Sequence, residues 1–265
     1  MWGLVPAAGR GSRIQPLAFS KELLPVGSRV LDDVQRPCAV GEYLVERLIR
    51  GGADKICMVI GAGKSDILEY FGGQFGGADL AYVVQPEPAG LCDALFRAAP
   101  LVGADEPVAI GLPDTVWFPA DALAGLPPDE LAFLLFPVER PELFDAVALD
   151  ARERVVEIRV KQENPGTSWI WGAFRMPGRI FHDLHRLWLA RGRSDEYIGT
   201  LVNAWIADGG VARGCKDGSA YFDVGTLHGY RAAMQVLADR DGGAPGARAG
   251  AGAASTRESQ PEMPR

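Results

Sequence analysis

Residues 4 to 26 read Leu4-Val5-Pro6-Ala7-Ala8-Gly9-Arg10-Gly11-Ser12-Arg13-Ile14-Gln15-Pro16-Leu17-Ala18-Phe19-Ser20-Lys21-Glu22-Leu23-Leu24-Pro25-Val26. A short apolar run, Leu4 and Val5, feeds a turn built of small residues. The scarcity of Cβ atoms in such a turn lets backbone N–H groups approach a polyphosphate closely. Ala7, Ala8, Gly9, Gly11 and Ser12 are the candidate backbone contacts for a nucleotide polyphosphate. The cations Arg13 and Lys21 complete a cradle of positive charge around it.

Outward from this stretch, short apolar runs alternate with amphipathic ones. Strands are expected at 2–6, 56–60, 80–84, 108–112 and 131–137, and helices at 39–50, 65–71 and 90–99. Gly51-Gly52 and Gly72-Gly73 stop the first two helices, and Ser65 is the expected cap of the second. The alternation predicts an α/β fold with a largely parallel core. From 146 the pattern changes. Runs at 146–149, 155–160 and 170–176 follow one another without helices and predict a small antiparallel layer beside the main sheet. Helices at 178–191 and 194–208, strand-like runs at 211–216 and 220–223, and a helix at 226–239 complete a single domain over 1–240. Over 241–265, Gly, Ala, Pro, Ser and charged residues dominate, so a disordered tail is expected.

The chain has 265 residues, 48% of them hydrophobic, and a formal charge of −7. Such a chain can bury a sizeable core. Its acidity argues against a nucleic-acid or anionic-membrane surface and leaves any phosphate site as a local basic spot. Cys38, Cys57, Cys92 and Cys215 lack the spacing of metal ligands or redox motifs and read as reduced buried thiols. No apolar run reaches the roughly 18 residues of a membrane span, and no signal-peptide pattern opens the chain, so a cytoplasmic protein is expected.

Two glycine motifs need separating. Gly9-x-Gly11 lacks the third glycine of a dinucleotide fingerprint, because Ile14 stands there. Gly61-Ala62-Gly63-Lys64-Ser65 mimics the end of a P-loop, but Met58 occupies its first glycine position, so it reads as a strand-to-helix turn. Taken whole, the amino-terminal stretch resembles the signature of the sugar-1-phosphate nucleotidyltransferases, Gly-x-Gly-x-Arg-Leu-x-Pro-Leu-Thr-x-x-x-Pro-Lys-x-Leu-Leu-Pro-Val. Gly9, Gly11, Arg13, Pro16, Leu17, Lys21, Leu23, Leu24, Pro25 and Val26 match it. The loop from Arg13 to Lys21 is two residues shorter than the pattern, and Ser20 replaces its proline.

The resemblance spans residues 2–238. It implies a Rossmann-like, mostly parallel mixed sheet flanked by helices, with a small antiparallel sugar-side layer. It also implies Mg2+-dependent transfer of a nucleotidyl group from dTTP or UTP to a sugar 1-phosphate, with Arg13 and Lys21 as catalytic cations. Gln85, in Gln85-Pro86-Glu87-Pro88-Ala89-Gly90-Leu91, falls at the base-reading glutamine. Its amide offers a donor and an acceptor, complementary to uracil or thymine, and Gly90 lets the backbone lie close to the base. Asp114 and Asp223 fall at the two metal-binding aspartates. Lys161 matches the sugar-phosphate lysine and Gly172 a family glycine; Asp145 stands where the family has glycine. Lys161, Gly172 and Asp145 are the candidate sugar contacts. Val160 replaces a family glutamate, Gln162 a proline, and Asp195-Glu196-Tyr197 replaces Glu-Leu-Glu. These departures keep open a cyclitol, polyol or other non-glucose phosphate as acceptor, and a non-catalytic nucleotide-binding homologue is a further reading. Family members are often oligomers, so a homo-oligomer is one expectation. His182, His185 and His228 read as packing or surface residues, and Trp169 and Trp171 as either sugar-pocket or core aromatics.

Overall fold

The computed structural model of the chain describes residues 1–31 and 33–242. The first half runs β1 (Trp2–Ala7), the hairpin β2 (Pro25–Leu31) and β3 (Val34–Ala39), α1 (Val40–Arg50), β4 (Lys55–Gly61), α2 (Ser65–Phe71), β5 (Gln74–Phe75), β6 (Ala78–Gln85), α3 (Gly90–Arg97) and β7 (Val108–Gly111). The second half runs β8 (Thr115–Phe118), β9 (Leu131–Pro137), β10 (Asp145–Leu149), β11 (Val155–Val160), β12 (Trp169–Met176), α4 (Gly178–Ala190), α5 (Ile198–Ala207), β13 (Ala212–Cys215), β14 (Ala220–Asp223) and α6 (Leu227–Gly242). The tail expected over 241–265 lies outside the described residues from 243 onward, while 241 and 242 close α6.

Strands β7, β1, β4 and β6 are parallel neighbours in the middle of a 10-stranded mixed sheet. β7, β1 and β4 are apolar on both faces because helices cover both, whereas β6 toward the sheet edge is mostly half-buried. Leu4, Ile110, Phe133 and Phe174 pack with Phe96 of α3, Phe181 of α4 and Leu201 of α5. Val5, Met58, Leu134 and Phe136 pack on the other face with Leu44 of α1 and Ile67 of α2. Each such side chain stabilises the fold by about 1.5–3 kcal/mol when fully buried.

The runs at 146–149, 155–160 and 170–176 do form antiparallel strands, but they continue the main sheet instead of standing beside it. The reason lies in β12, whose residues 170–174 are all buried. A strand apolar on both faces has to sit inside a sheet, and β12 does so between β7 and β9. The separate antiparallel sheets are β2–β3 and β8–β14. Ser65 does not cap α2: Lys64 holds that position, and no side chain caps the helix. Helix α5 starts only at Ile198, because residues 195 and 196 are committed to contacts with α3 and α4.

Parallel strands deliver their carboxyl ends to one edge of a sheet, where α/β folds place ligands. Ala7, Gly61, Gln85 and Gly111 all end strands there. The pair β8–β14 then lays Asp223 opposite Thr115, next to Asp114. A small third core under this region joins Val26, Val116, Val224 and Leu237.

Candidate active site

After β1, Gly11 turns the chain with φ +66°. A Cβ there would lie 2.8 Å from Lys21 Cδ, so the glycine makes room for the lysine stem. Lys21 Nζ reaches Asp114 Oδ2 at 2.5 Å, across 93 residues of sequence. Arg13 Nη1 donates to Asp223 Oδ2 at 2.7 Å, across 210 residues. The two carboxylates face each other over Gly225. A Cβ on that glycine would lie 2.6 Å from Asp114 Oδ2, 2.9 Å from Asp223 Oδ1 and 3.3 Å from Arg13 Nη2.

The charges shape one another. Burial pushes the Asp114 carboxyl up, but the Lys21 ammonium overrides it and holds the group below its ordinary value. Burial and then the Asp114 charge hold Asp223 above its ordinary value, against the pull of Arg13. Burial works against the Lys21 charge, yet Asp114 and Glu22 raise its pKa overall. The result is two cation–carboxylate pairs side by side.

Both pairs line a cavity of about 550 Å³ that also holds Asp145, Lys161, Trp171, Tyr197 and Tyr221. Lys161 Nζ sits 4.7 Å above the Tyr197 ring. Burial raises the Asp145 carboxyl, and Lys161 and the Trp171 indole partly offset this. Tyr221 lies in the same wall. Its hydroxyl is held protonated by burial first, and then by Asp223 and Asp114. Two carboxylates at one point are a donor set for a hard cation that shares itself with phosphate oxygens. Among the described residues there is no group of three or more His, Cys, Asp or Glu side chains arranged to hold a metal.

The nucleotidyl transferase family model matches residues 2–240. The chain belongs to the nucleotidyl transferase family. It is 28% identical over 246 residues to a glucose-1-phosphate thymidylyltransferase of Mycolicibacterium smegmatis, covering 86% of this chain and 78% of the relative. It is 26% identical over 216 residues to the UTP–glucose-1-phosphate uridylyltransferase AglF of Haloferax volcanii, covering 79% and 85%. In fold it resembles a UTP-bound UGPase from Acinetobacter baumannii, with a TM-score of 0.70 at 19% identity over 89% of this chain and 92% of the other.

Within this nucleotidyltransferase, Arg13, Lys21, Asp114, Asp223, Asp145, Lys161 and Gly9 come together in the cavity wall, whereas Ala7 and Ala8 are buried behind it and Ser12 is exposed outside it. Gln85 is buried behind the wall. Its Nε2 already donates to Asp93 Oδ2 at 2.7 Å and to the Gly90 carbonyl at 3.2 Å, so only Oε1 is left to accept. The backbone that needs Gly90 to lack a Cβ is that of Glu196, whose Cα would lie 2.7 Å from it. The Glu196 carbonyl accepts the Leu91 N–H at 2.7 Å at the start of α3. Gly172 has no room for a side chain: a Cβ would lie 2.5 Å from Phe136 Cε2 and 2.6 Å from Tyr221 Cε2. The glycine thus lets the Tyr221 ring reach its place.

The sequence reading passed over Glu142, Leu143 and Phe144, which also line the cavity, and it did not single out Tyr197 or Tyr221. Tyr221 had a signal, since it lies two residues before Asp223 on one strand and so shares its face. His182 bonds the Val102 carbonyl at 2.8 Å, and His185 stacks on Phe96 at 4.9 Å, which makes both packing residues. They border a more open groove of about 660 Å³ whose charged groups are already engaged, as with Arg97 on Asp93. Burial pushes the Cys57 and Cys92 thiols up to about 12, as expected of unreactive core cysteines. No helix among the described residues is long and apolar enough to cross a membrane.

Proposed function

We propose that this nucleotidyltransferase moves a nucleotidyl group from dTTP or UTP to a sugar 1-phosphate, in a reaction that requires Mg2+. The observation that carries the reading is the single cavity with Lys21–Asp114 and Arg13–Asp223 together and Lys161 and Asp145 in the same wall. Asp114 and Asp223 would hold the ion; when bound, it supplies charge neutralisation for the phosphates.

An oxygen of the acceptor phosphate forms a bond to the α-phosphorus. The bond from that phosphorus to its bridging oxygen breaks, and pyrophosphate leaves with the electron pair. Such a displacement needs positioning and charge stabilisation more than covalent help. Arg13, released from Asp223, holds the β- and γ-phosphates and stabilises the leaving pyrophosphate. Lys21 contacts the α-phosphate as charge shifts. Lys161 anchors the acceptor phosphate, and the Asp145 carboxylate accepts from an acceptor hydroxyl. Gln85 Oε1 accepts from the base N3–H once nucleotide binding uncovers this buried side chain. Tyr221 stays neutral among Asp223, Asp114 and Asp145, so its hydroxyl proton is available to donate to a bound phosphate or acceptor oxygen.

A second reading concerns the acceptor. The Asp145 carboxylate fills part of the cavity wall, which favours testing polyol and cyclitol phosphates alongside sugars. The experiment is a screen of pyrophosphate release over the four ribonucleoside triphosphates and dTTP, crossed with a panel of these phosphates, with and without Mg2+. Turnover confined to dTTP or UTP with one sugar 1-phosphate supports the proposal; no release from any pair overturns it.

A further inference from the structure

The turn between β4 and α2, which imitates a P-loop in sequence, takes no part in the cavity wall. This turn and the first residues of α2 grip the residues on either side of Lys21 instead. On one side Lys64 Nζ binds Glu22, at 2.9 Å to Oε1 and 2.8 Å to Oε2. The same ammonium donates to the Ala7 carbonyl at 2.7 Å, tying this segment to the end of β1. On the other side Asp66 takes both donors of Ser20. The Ser20 N–H reaches Oδ2 at 2.6 Å, and its hydroxyl reaches Oδ1 at 2.7 Å.

The conformation of Ser20 explains why this grip matters. Its backbone lies at φ −62°, ψ 136°, which is the polyproline basin and the φ that a proline ring enforces. A serine is free to leave that basin. Asp66 holds it there through the N–H that a proline lacks. The Ser20 carbonyl then accepts the Leu23 N–H at 2.9 Å and starts the single 3-10 turn Lys21–Leu23. The direction in which the Lys21 stem leaves the backbone is therefore set by Ser20.

We infer that Asp66 and Lys64 form a positioning clamp for Lys21, with Asp66 holding Ser20 as a pyrrolidine ring would. This rests on Lys21 being a catalytic cation. The test compares Asp66→Ala, Asp66→Asn and the double variant Ser20→Pro/Asp66→Ala. Pyrophosphate release gives kcat and KM, calorimetry gives dTTP or UTP affinity, and thermal melts give folding. Asp66→Ala lowers kcat roughly tenfold, since a small misplacement of a catalytic group is costly, while the acceptor KM stays within about twofold. Asp66→Asn, which keeps one acceptor, falls between. Ser20→Pro then recovers most of the loss in the alanine background, because the ring restores φ and leaves no N–H to satisfy.

Wild-type kcat in Asp66→Ala overturns the clamp. So does a double variant no faster than Asp66→Ala when both melt cooperatively. If Asp66→Ala does not fold, Asp66→Asn against Ser20→Pro/Asp66→Asn carries the same comparison. If the wild type releases no pyrophosphate with any acceptor, the activity is wrong, and the clamp is judged on nucleotide affinity alone. An affinity unchanged in Asp66→Ala then refutes it.

Discussion

Replacing Lys21 by Met keeps most of the unbranched stem and removes the charge, which separates two roles of this residue. The Lys21 and Asp114 side chains are only 13% and 10% exposed. An exposed pair contributes about 0–1 kcal/mol, but removing one partner of a buried pair costs about 3–5 kcal/mol because the other charge is stranded. Asp114 can escape part of that cost by taking up a proton, so the lower figure applies. In a domain of this size each kcal/mol moves Tm by about 2–4 °C, which sets the expected drop at roughly 6–12 °C.

The catalytic loss is separate. Removing one donor that stabilises transition-state charge lowers kcat by about 10²–10³. The double variant Lys21→Met/Asp114→Asn tells the two apart. The neutral amide removes the stranded carboxylate, so Tm recovers, while kcat stays low. The pH dependence has a definite sign. In the wild type the lowered Asp114 carboxyl contributes stability that is present above its unfolded value, 3.8, and is lost as pH falls through its folded value. Without Lys21, burial raises that folded value above 3.8, and the Tm deficit shrinks as the solution is acidified and Asp114 takes up a proton. Calorimetric melts between pH 4 and 8 and pyrophosphate release at pH 7.5 measure all of this. A Lys21→Met enzyme within threefold of wild-type kcat, or a double variant that melts as low as the single one, would refute the reasoning.

Arg13→Ala should leave Tm nearly unchanged, because its side chain is 61% exposed, yet lower kcat by about 10²–10³. Arg13→Lys should restore little, since an ammonium lacks the planar fork that engages two phosphate oxygens. Gly11→Ala adds about 1–2 kcal/mol of backbone cost at φ +66° and pushes the Lys21 stem aside. A Gly11→Ala protein with both wild-type Tm and wild-type kcat contradicts the packing described. For Asp223→Asn the folded carboxyl is held above its ordinary value, so folding disfavours its charged form at neutral pH. In the wild type this contribution declines as pH rises from 3.8 through the raised folded value. The variant should therefore melt no lower than wild type at pH 7 while losing turnover, and a clear drop in Tm is the outcome that counts against this.

The α/β alternation and the small-residue turn after β1 were legible because both are local. A buried parallel strand has to be apolar along its length, and a turn that lets backbone approach a ligand has to be made of small residues. Arg13, Lys21, Asp114 and Asp223 were legible as residue types; Arg13, Asp114 and Asp223 end or follow β1, β7 and β14, while Lys21 opens the 3-10 turn before β2. The roles of Gly90, Gly172 and Lys64 were not legible. Gly90 answers to the Glu196 backbone, Gly172 to the Phe136 and Tyr221 rings, and Lys64 to Glu22 and the Ala7 carbonyl. Each of those partners is remote in sequence, and no local pattern encodes the pairing.

Chain order and short-range chemistry thus dictated a parallel-centred sheet with an anion-binding turn at its first strand. The meeting of cations and carboxylates was decided only by strand order and register. β7 and β8 carry Asp114 beside the end of β1, and the antiparallel pairing of β14 with β8 sets Asp223 against it. Lys21 with Asp114, and Arg13 with Asp223, are pairs 93 and 210 residues apart. Coulomb attraction falls with distance in space and is blind to distance along the chain, so such contacts exist only once the sheet has closed.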